Sequence, residues 1–284
     1  MTESEAVGYL GILYLVATPI GNLDDITLRA LRILQTVSVI AAEDTRHTRQ
    51  LLDRHDIKQH LTSFFEHNDR AKTLQILERL RSGDVALVSD AGTPGISDPG
   101  YELIRAAIDA GIRVVPIPGP SAPIAALAGS GLPTDQFTYL GFLPRRTAER
   151  RRILAEAGGE RRTIVAFESP HRLIDALEDI RFVLGERPVV IARELTKIHE
   201  EFVRGTVSQA IERFRAIPPR GEVTLVIGGE LTAETPVDVT DRINELLGEG
   251  RSASEVATMV AAEAGVPRRQ VYRLLLGLKN YVKI

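Results

Sequence analysis

The sequence contains no cysteine. This absence excludes disulfides, thiolate nucleophiles and cysteine-ligated zinc or iron–sulfur sites, and it is typical of a cytoplasmic protein. The first residues are acidic where a signal peptide needs positive charge, and the apolar run over 12–17 is far too short to span a bilayer. We therefore expect a soluble, cytoplasmic protein without an export signal or a membrane segment.

The sequence also lacks the common cofactor and nucleophile motifs. It has no G-x-G-x-x-G dinucleotide fingerprint, no G-x-x-x-x-G-K-[ST] phosphate loop and no G-x-S-x-G elbow. The histidines at 47, 55, 60 and 67 do not have the paired spacing of metal ligands, so we expect no metal site. A ligand that carries its own charge and is held by backbone groups and one or two carboxylates fits what remains.

The formal net charge is −3, yet the basic residues are distributed unevenly. Arginines crowd the middle of the chain at Arg145, Arg146, Arg150, Arg151, Arg152, Arg161 and Arg162. The segment 265–284 has basic residues and no acid: Arg268, Arg269, Arg273, Lys279 and Lys283. A charge-rich helix is often only a solvated face. Two basic patches on a mildly acidic protein nevertheless favour a polyanionic partner.

Short β-rich runs alternate with helical patterns in the first half of the chain. We predict strands over 12–17, 37–42, 61–65, 85–89 and 113–117. Between them, apolar residues at three- and four-residue spacing predict helices over 27–35, 48–55, 71–81 and 101–110. This alternation is the signature of an α/β sheet with crossover helices.

A second, more mixed set of elements begins after residue 135. Strands are predicted over 137–142, 163–168, 188–193, 200–205 and 222–229. Helices are predicted over 146–157, 171–184 and 207–214. The short connection 194–199 predicts an antiparallel hairpin between the strands that flank it. Glycine and proline just before residue 135 break the preceding helix, which predicts α/β domains over 1–134 and 135–230.

After Gly229 the strands stop, and 231–284 is predicted to form a helical extension. Helical patterns cover 239–247 and 253–264, and a turn then leads to a basic helix over 268–278. A helix, a short turn and a basic helix form the outline of a helix-turn-helix. A packing element for a partner subunit is the alternative interpretation.

Three predicted strands end in irregular loops rich in glycine and proline. The strand 85–89 is followed by DAGTPGISDPG, the strand 12–17 by TPIGNLDD and the strand 113–117 by PGPSA. Such loops display backbone amides and carbonyls, and an open α/β sheet binds its ligand at the carboxyl ends of its strands. Ser121 is also well placed as the N-cap of the next helix, which is a purely structural role.

Several motifs, in one order, resemble the ribosomal RNA small subunit methyltransferase I group of the tetrapyrrole methylase superfamily. The matching segments are LYLVATPIGNLDDIT, AAEDTRHT, SFFEHN, LVSDAGTPGISDPG, PGPSA and FESPHR. They extend from about residue 13 to residue 229, and the C-terminal helices are also similar to those of the family. The resemblance implies two α/β domains with S-adenosylmethionine bound in the cleft between them, in a homodimer.

The resemblance also implies which residues contact the cofactor. The methionine end would meet the strand-end loops at Pro19, Asp90, Ala91, Gly92, Ile96, Ser121 and Ala122. The second domain would close the adenosine end with Phe167, Glu168, Leu195 and a residue near Gly228. Asp90 is then a cofactor contact rather than the catalytic base.

The implied reaction is 2′-O-methylation of a cytidine ribose in 16S ribosomal RNA, near the decoding centre. A base assists because a protonated alcohol is a poor nucleophile. The candidate bases follow the second and third strands: Glu43, Asp44, Glu66 and His67. The candidate RNA contacts are Arg46, Arg145, Arg146, Arg268 and Arg269. Each candidate also has an ordinary structural alternative, such as an N-cap for Asp44.

Two other functions stay open at this stage. A methyltransferase that acts on a tetrapyrrole precursor would share the fold and the cofactor, but it has less need of two arginine-rich patches. A noncatalytic RNA-binding protein would need the patches and not the strand-end loops. Free RNA and the assembled 30S subunit both fit as the substrate of an RNA methyltransferase.

Overall fold

A computed structural model of the chain contains two five-stranded sheets with flanking helices, followed by a group of C-terminal helices. The chain divides into two compact units, Met1–Glu230 and Leu231–Ile284. Both sheets belong to the first unit, and the predicted boundary at 134/135 inside that unit stays a prediction. The structure describes residues 10–64, 69–230, 239–264 and 266–281.

The first sheet is entirely parallel, with strand order β3-β2-β4-β1-β5. Its strands are β1 (Ile12–Val16), β2 (Val39–Ala42), β3 (Leu61–Ser63), β4 (Val85–Val88) and β5 (Arg113–Ile117). Every residue of β2 and β4 is buried, as expected for strands covered on both faces. Because the strands are parallel, the loops that follow β1, β4 and β5 meet at one edge, as the sequence predicts.

Crossover helices cover both faces of this sheet. They are α1 (Leu28–Thr36), α2 (Thr45–Arg54), α3 (Asp69–Leu80) and α4 (Tyr101–Asp109), whereas α5 (Ala122–Ser130) follows β5 and packs elsewhere. Leu34 of α1 and Leu52 of α2 pack on one face, and Leu80 of α3 and Leu103 of α4 pack on the other. Residue 45, rather than 48, begins α2 because the Asp44 side chain accepts a hydrogen bond from the Arg46 amide and caps the helix.

The second sheet is mixed, with strand order β6-β7-β10-β8-β9. Its strands are β6 (Phe137–Phe142), β7 (Thr163–Glu168), β8 (Pro188–Arg193), β9 (Glu201–Thr206) and β10 (Val223–Ile227). The predicted hairpin is confirmed, since β8 and β9 pair antiparallel. The middle strand β10 runs antiparallel to both β7 and β8, so its first residues lie beside the last residues of those strands.

The two faces of the second sheet are covered from different parts of the chain. One face packs against α6 (Thr147–Glu156), α7 (Leu173–Leu184) and α8 (Val207–Ala216). The other face packs against α5, whose Ala126 and Leu127 contact β7, β8 and β10. This helix follows the last strand of the first sheet, and its apolar surface joins the two sheets into one unit.

The second unit is a helical group with its own core. Its helices are α9 (Val239–Gly248), α10 (Ala253–Glu263) and α11 (Arg268–Tyr281). Ile243, Leu246, Val256, Val260 and Val271 are buried together. The helical prediction for this region is therefore confirmed. Across the described parts of both units, no helix combines the length and the apolar character needed to cross a membrane.

Candidate active site

A cavity of about 440 Å³ lies between the carboxyl edge of the first sheet and the second sheet. The loop after β4 and the start of α5 form one side, and the ends of β7 and β8 with the start of β10 form the other. Its lining includes Glu43, Asp90, Asp98, Ser121, Tyr139, Phe142, Phe167, Glu168, Leu195 and Thr224. Parts of the chain that are distant in sequence therefore face one cavity.

Most of the predicted cofactor contacts line this cavity: Asp90, Ala91, Gly92, Ile96, Ser121, Ala122, Phe167, Glu168 and Leu195. Pro19 lines an adjoining cavity of about 170 Å³, which shares Ile20, Asp90 and Ala91 with the larger one. Gly228 does not line the cavity, so the expectation that it closes the adenosine end is wrong. Because β10 is antiparallel to β7 and β8, its start borders the cavity, whereas the Gly228 amide donates to the Pro188 carbonyl at the opposite edge.

The loop after β4 is held against the end of β1. Thr18 and Gly92 exchange backbone hydrogen bonds of 2.8 and 3.1 Å, and the Thr18 hydroxyl donates to the Ser89 carbonyl. Gly92 has φ +82° and Ser97, without the freedom of glycine, has φ +59°. Strained backbone that the surroundings hold in place is a feature of functional loops. The glycines of this motif therefore shape the wall of the cavity.

The carboxylates at this edge form a hydrogen-bonded group. The Asp44 amide donates to Asp90 Oδ1 at 2.9 Å, and the Asp90 amide donates to Glu43 Oε2 at 3.3 Å. Within the described residues, no group of three or more His, Asp or Glu side chains is arranged to hold a metal ion. The arrangement instead offers negative charge to a cationic ligand.

Asp98 is the residue at this site that sequence reasoning did not single out. Burial raises its pKa to about 6, a hydrogen bond with Ser89 acts in the opposite direction, and the carboxylates of Glu43 and Asp90 raise it further. A carboxyl group with a pKa near neutrality, inside a cavity, suits proton transfer. The available signal was its place in the glycine- and proline-rich loop, but the cavity that it lines also needs residues of the second sheet.

The predicted base Asp44 has a structural role. Its carboxylate caps α2 and binds Arg46 through both oxygens, with distances of 2.7 and 3.2 Å to the guanidinium. The hydrogen bonds from the side chain and backbone of Arg46 hold the pKa of Asp44 well below its usual range. A carboxylate of such low basicity is poorly suited to accept a proton. Of the other candidates, Glu43 lines the cavity, and Glu66 and His67 lie outside the described residues.

The second sheet contributes an aromatic and acidic wall. Phe167 is half-buried, and Glu168 is 2% exposed. Glu168 Oε1 forms an ion pair of 2.5 Å with Arg172 and accepts from the Ser169 amide at 2.7 Å. Glu168 Oε2 is buried and has no hydrogen-bond partner within the described structure. A buried acceptor without a partner is costly, and a ligand hydroxyl or amine would satisfy it.

Ser121 stands at the N-cap of α5, as predicted, but its side chain makes no capping hydrogen bond in the described structure. The serine instead lines the cavity at the start of α5. The start of a helix favours negative charge because its first backbone amides have no partner inside the helix. This end of the cavity therefore suits a carboxylate.

The sequence matches known proteins along most of its length. The family model for Tetrapyrrole (Corrin/Porphyrin) Methylases matches residues 12–211. The chain is 48% identical over 276 residues to the ribosomal RNA small subunit methyltransferase I of Synechocystis sp., a match that covers 95% of this chain and 99% of the relative. The chain belongs to this group of the tetrapyrrole methylase family. The family resemblance of the sequence motifs is thereby confirmed.

Two further comparisons concern a shorter relative of this methylase and a solved structure of similar fold. The protein of the same name from Thermotoga maritima is 51% identical over 222 residues, covering 78% of this chain and 100% of the relative. The fold is similar to that of uroporphyrin-III C-methyltransferase from Thermus thermophilus complexed with S-adenosylhomocysteine, with a TM-score of 0.55, 19% identity, and coverage of 77% of this chain and 97% of that chain. The predicted fold class is confirmed by the family match and this likeness.

The basic residues of the methylase fall into two groups. Arg150 is 3% exposed and forms an ion pair of 2.5 Å with Asp179, which also binds Arg151 at 2.6 Å. Arg150 joins α6 to α7 instead of forming part of a basic surface, and Arg151 binds Asp179 with its side chain 44% exposed. Arg145 and Arg146, just before α6, are exposed. The basic patch of the middle of the chain is therefore smaller than the sequence predicts.

The remaining predicted RNA contacts are also exposed. Arg46 is paired with Asp44 beside the cavity edge, and its side chain is 88% exposed. In the second unit, Arg268 donates to the Ser254 hydroxyl at 2.9 Å, and Arg269 is exposed on α11. All of these guanidiniums are accessible to a polyanion.

Proposed function

We propose that the chain is an S-adenosylmethionine-dependent methyltransferase that methylates the 2′-hydroxyl of a cytidine in 16S ribosomal RNA, near the decoding centre. The observation that carries the proposal is the 48% identity, over 95% of this chain, to a ribosomal RNA small subunit methyltransferase I. The cavity between the two sheets supports it, because a protein of similar fold is described in complex with S-adenosylhomocysteine. The same resemblance underlies our proposal of a homodimer.

The lining of the cavity fits S-adenosylmethionine. We assign the methionine end to the loop and helix start at Asp90, Ala91, Gly92, Ile96, Ser121 and Ala122, with Pro19 beside it. We assign the adenosine end to Phe167, Glu168 and Leu195. The buried Glu168 Oε2 offers an acceptor to a hydroxyl or an amine, and the carboxylate group beside Asp90 suits a positive charge.

The chain's own contribution to the reaction is to position the ribose and to accept its proton. When bound, the cofactor supplies a methyl group activated by a sulfonium. Asp98 accepts the proton of the 2′-hydroxyl, because its pKa of about 6 leaves it ionised at neutral pH and more basic than an ordinary carboxylate. Glu43 holds the Asp90 amide and raises the pKa of Asp98.

The exposed arginines bring the RNA to the cavity. Arg145 and Arg146 lie on the β6–α6 connection, which begins at the cavity residue Phe142. Arg46 lies beside the opposite border, at the start of α2. Contacts from such residues to phosphates position an RNA without reading its sequence. Arg268 and Arg269 of the second unit add sequence-independent affinity.

The test is methyl transfer from labelled S-adenosylmethionine to three acceptors: unmodified 30S subunits, deproteinised 16S RNA and a porphyrinoid. Mass spectrometry of digested RNA then locates the product. We expect a single 2′-O-methylcytidine in ribosomal RNA. Transfer to the porphyrinoid without transfer to RNA would refute the proposal. As a control, Ser121→Tyr places a large side chain in the cavity and should abolish cofactor binding, which calorimetry measures. Light scattering of the wild-type protein measures its mass in solution and so tests the proposed homodimer.

A further inference from the structure

The strand β6 carries a bulge beside the cavity. Tyr139 pairs with Val165 of β7 and Phe142 pairs with Phe167, so three steps along β6 match two steps along β7. Gly141 lies within the bulge and has φ +67°, a conformation that glycine adopts without strain. Bulges are common beside active sites, where they redirect a side chain.

The bulge brings two rings onto the same partner. In a regular strand, residues three positions apart point to opposite faces. Here Tyr139 packs edge-on against Phe167 with ring centroids 5.6 Å apart, and Phe142 lies 5.0 Å from Phe167 with its plane tilted by 51°. All three residues line the cavity. Without the extra residue, one of the two β6 rings would face away from it.

The two rings are held differently. The Tyr139 hydroxyl lies 2.8 Å from Ser97 Oγ, which ties the tyrosine to the loop after β4. Phe142 is 59% exposed, although it lines the cavity. Tyr139 therefore belongs to the wall of the cavity, whereas Phe142 stands at its mouth with most of its surface in water. An aromatic ring in this position gains free energy when a flat partner covers it.

The residues that follow Phe142 indicate the chemistry of that partner. Arg145 and Arg146 are exposed on the same connection, and the Arg146 side chain is 84% exposed. An exposed ring beside exposed cations is the combination that binds single-stranded nucleic acid, since the ring stacks on a base and the cations meet phosphates. Positive charge at this border favours RNA, which carries a negative charge at every phosphate, over a second copy of a chain whose net charge is only −3.

We propose that Phe142 is the platform on which the target base stacks after it turns out of the RNA structure, with Arg145 and Arg146 at the neighbouring phosphates. This inference rests on the proposed function and adds the residue that positions the substrate base. Enzymes that modify nucleotides commonly extrude the target and stack it on an aromatic side chain. Because every base has a π face, the stack positions the ribose but does not select cytidine.

The first test compares Phe142→Ala, Phe142→Leu and Phe142→Tyr in single-turnover methyl transfer to unmodified 30S subunits. Leucine keeps the apolar bulk without the ring, and tyrosine keeps the ring. We expect alanine and leucine to lower kcat/KM for the RNA about tenfold or more, and tyrosine to stay within about twofold of the wild type. The Kd of S-adenosylmethionine without RNA should not change.

The second test uses fluorescence, because the sequence contains no tryptophan. Phe142→Trp introduces a single reporter at the cavity mouth, and Phe182→Trp is the matched control on α7, where Phe182 is 73% exposed. Deproteinised 16S RNA should quench the reporter at 142 and not the reporter at 182. Equal quenching of both reporters, or of neither, would contradict stacking at Phe142.

Other outcomes identify a different role for the ring. Wild-type transfer rates in Phe142→Ala and Phe142→Leu would overturn the inference and leave the proposed function intact. Weaker cofactor binding without RNA would assign the ring to the cofactor, and a changed mass in light scattering would assign it to a second copy of the chain. If the wild-type protein transfers no methyl group to RNA, the proposed function itself fails.

Discussion

At the scale of single residues, the site separates acids of similar sequence context into different roles. Asp44 and Asp90 follow strands and precede helical segments, and so does Asp98. The Asp44 carboxylate caps α2 and binds Arg46, and the Asp90 carboxylate accepts a hydrogen bond from the Asp44 amide. Asp98 is partly buried near other carboxylates, and this raises its pKa. Burial and neighbouring charge, rather than residue type, decide which acid suits proton transfer.

The role of Asp98 predicts the behaviour of Asp98→Asn. The amide cannot accept the ribose proton, so the single-turnover rate of methyl transfer should fall at least about 100-fold while the Kd of the cofactor changes little. Asp90→Asn is the comparison, because it should weaken cofactor binding instead. A variant that loses only cofactor affinity, with an unchanged rate at saturation, would show that Asp98 is a binding residue.

The pH dependence of the wild-type rate follows from the same carboxyl group. Asp98 must be ionised to accept a proton, so the rate should fall as the pH drops through about 6. The hydrogen bond with Ser89 lowers the pKa of Asp98, and Ser89→Ala should therefore move this acidic limb to higher pH. A limb that stays in place in Ser89→Ala would exclude Asp98 as its origin.

The raised pKa of Asp98 also determines how the stability of the fold changes with pH. Because the folded pKa of Asp98 lies above its ordinary value of 3.8, its contribution to stability is fully present below that value and is lost as the pH rises through about 6. Asp98→Asn should therefore raise Tm at pH 8 and not at pH 3. Differential scanning calorimetry of the variant and the wild type at both pH values measures this difference. A folded variant with a higher Tm at pH 8 would show that its loss of activity is not caused by unfolding.

At the scale of elements, α6 buries one of its arginines, Arg150, against α7. Arg150 and Asp179 are both 3% exposed in their side chains, and Asp179 also binds Arg151. The pair therefore ties α6 to α7 on the second sheet. A buried ion pair of this kind is costly to break, because an Arg150 guanidinium without Asp179 stays buried without a counter-ion.

Asp179→Ala should destabilise the first unit by about 3–5 kcal/mol, because it leaves the Arg150 guanidinium buried without its counter-ion. Urea unfolding measures the loss as a lower midpoint. Glu149→Ala removes an exposed pair with Arg146, whose side chains are 84% and 50% exposed, and should shift the midpoint little. Equal midpoints for the two variants would mean that the buried pair contributes no more than the exposed one.

At the scale of the whole molecule, the second unit, Leu231–Ile284, is a compact unit of its own. The unit has its own buried core and a basic helix, α11. These features favour an accessory role in RNA binding over a role in the chemistry.

The double charge reversal Arg268→Glu and Arg269→Glu tests that role. It should weaken binding to 16S RNA and flatten the salt dependence of the affinity by about one unit of slope for each lost phosphate contact. Cofactor binding should not change. Reversal of Arg79 and Arg81, at the end of α3 and away from the carboxyl edge, changes the net charge equally and is the control. Unchanged affinity and slope would remove α11 from the RNA surface.

Local patterns were sufficient to predict most of the fold. Apolar runs and helical spacing placed each strand of the two sheets within a few residues of its observed position, because these features act over one element. The same reasoning failed for Gly228, since the direction of β10 depends on its neighbours β7 and β8. It also overestimated the basic surface, since Arg150 is paired with a residue on another helix.

The sequence by itself determined the family, the alternation of strands and helices, and the loops at one edge of the first sheet, because each of these is encoded in contiguous residues. Only the tertiary structure decided how those loops are arranged. The loop after β4 and the second sheet line one cavity, in which partial burial raises the pKa of Asp98 and the Tyr139 hydroxyl lies 2.8 Å from Ser97 Oγ. Burial and proximity depend on residues from both sheets, and no single segment of the sequence contains that information.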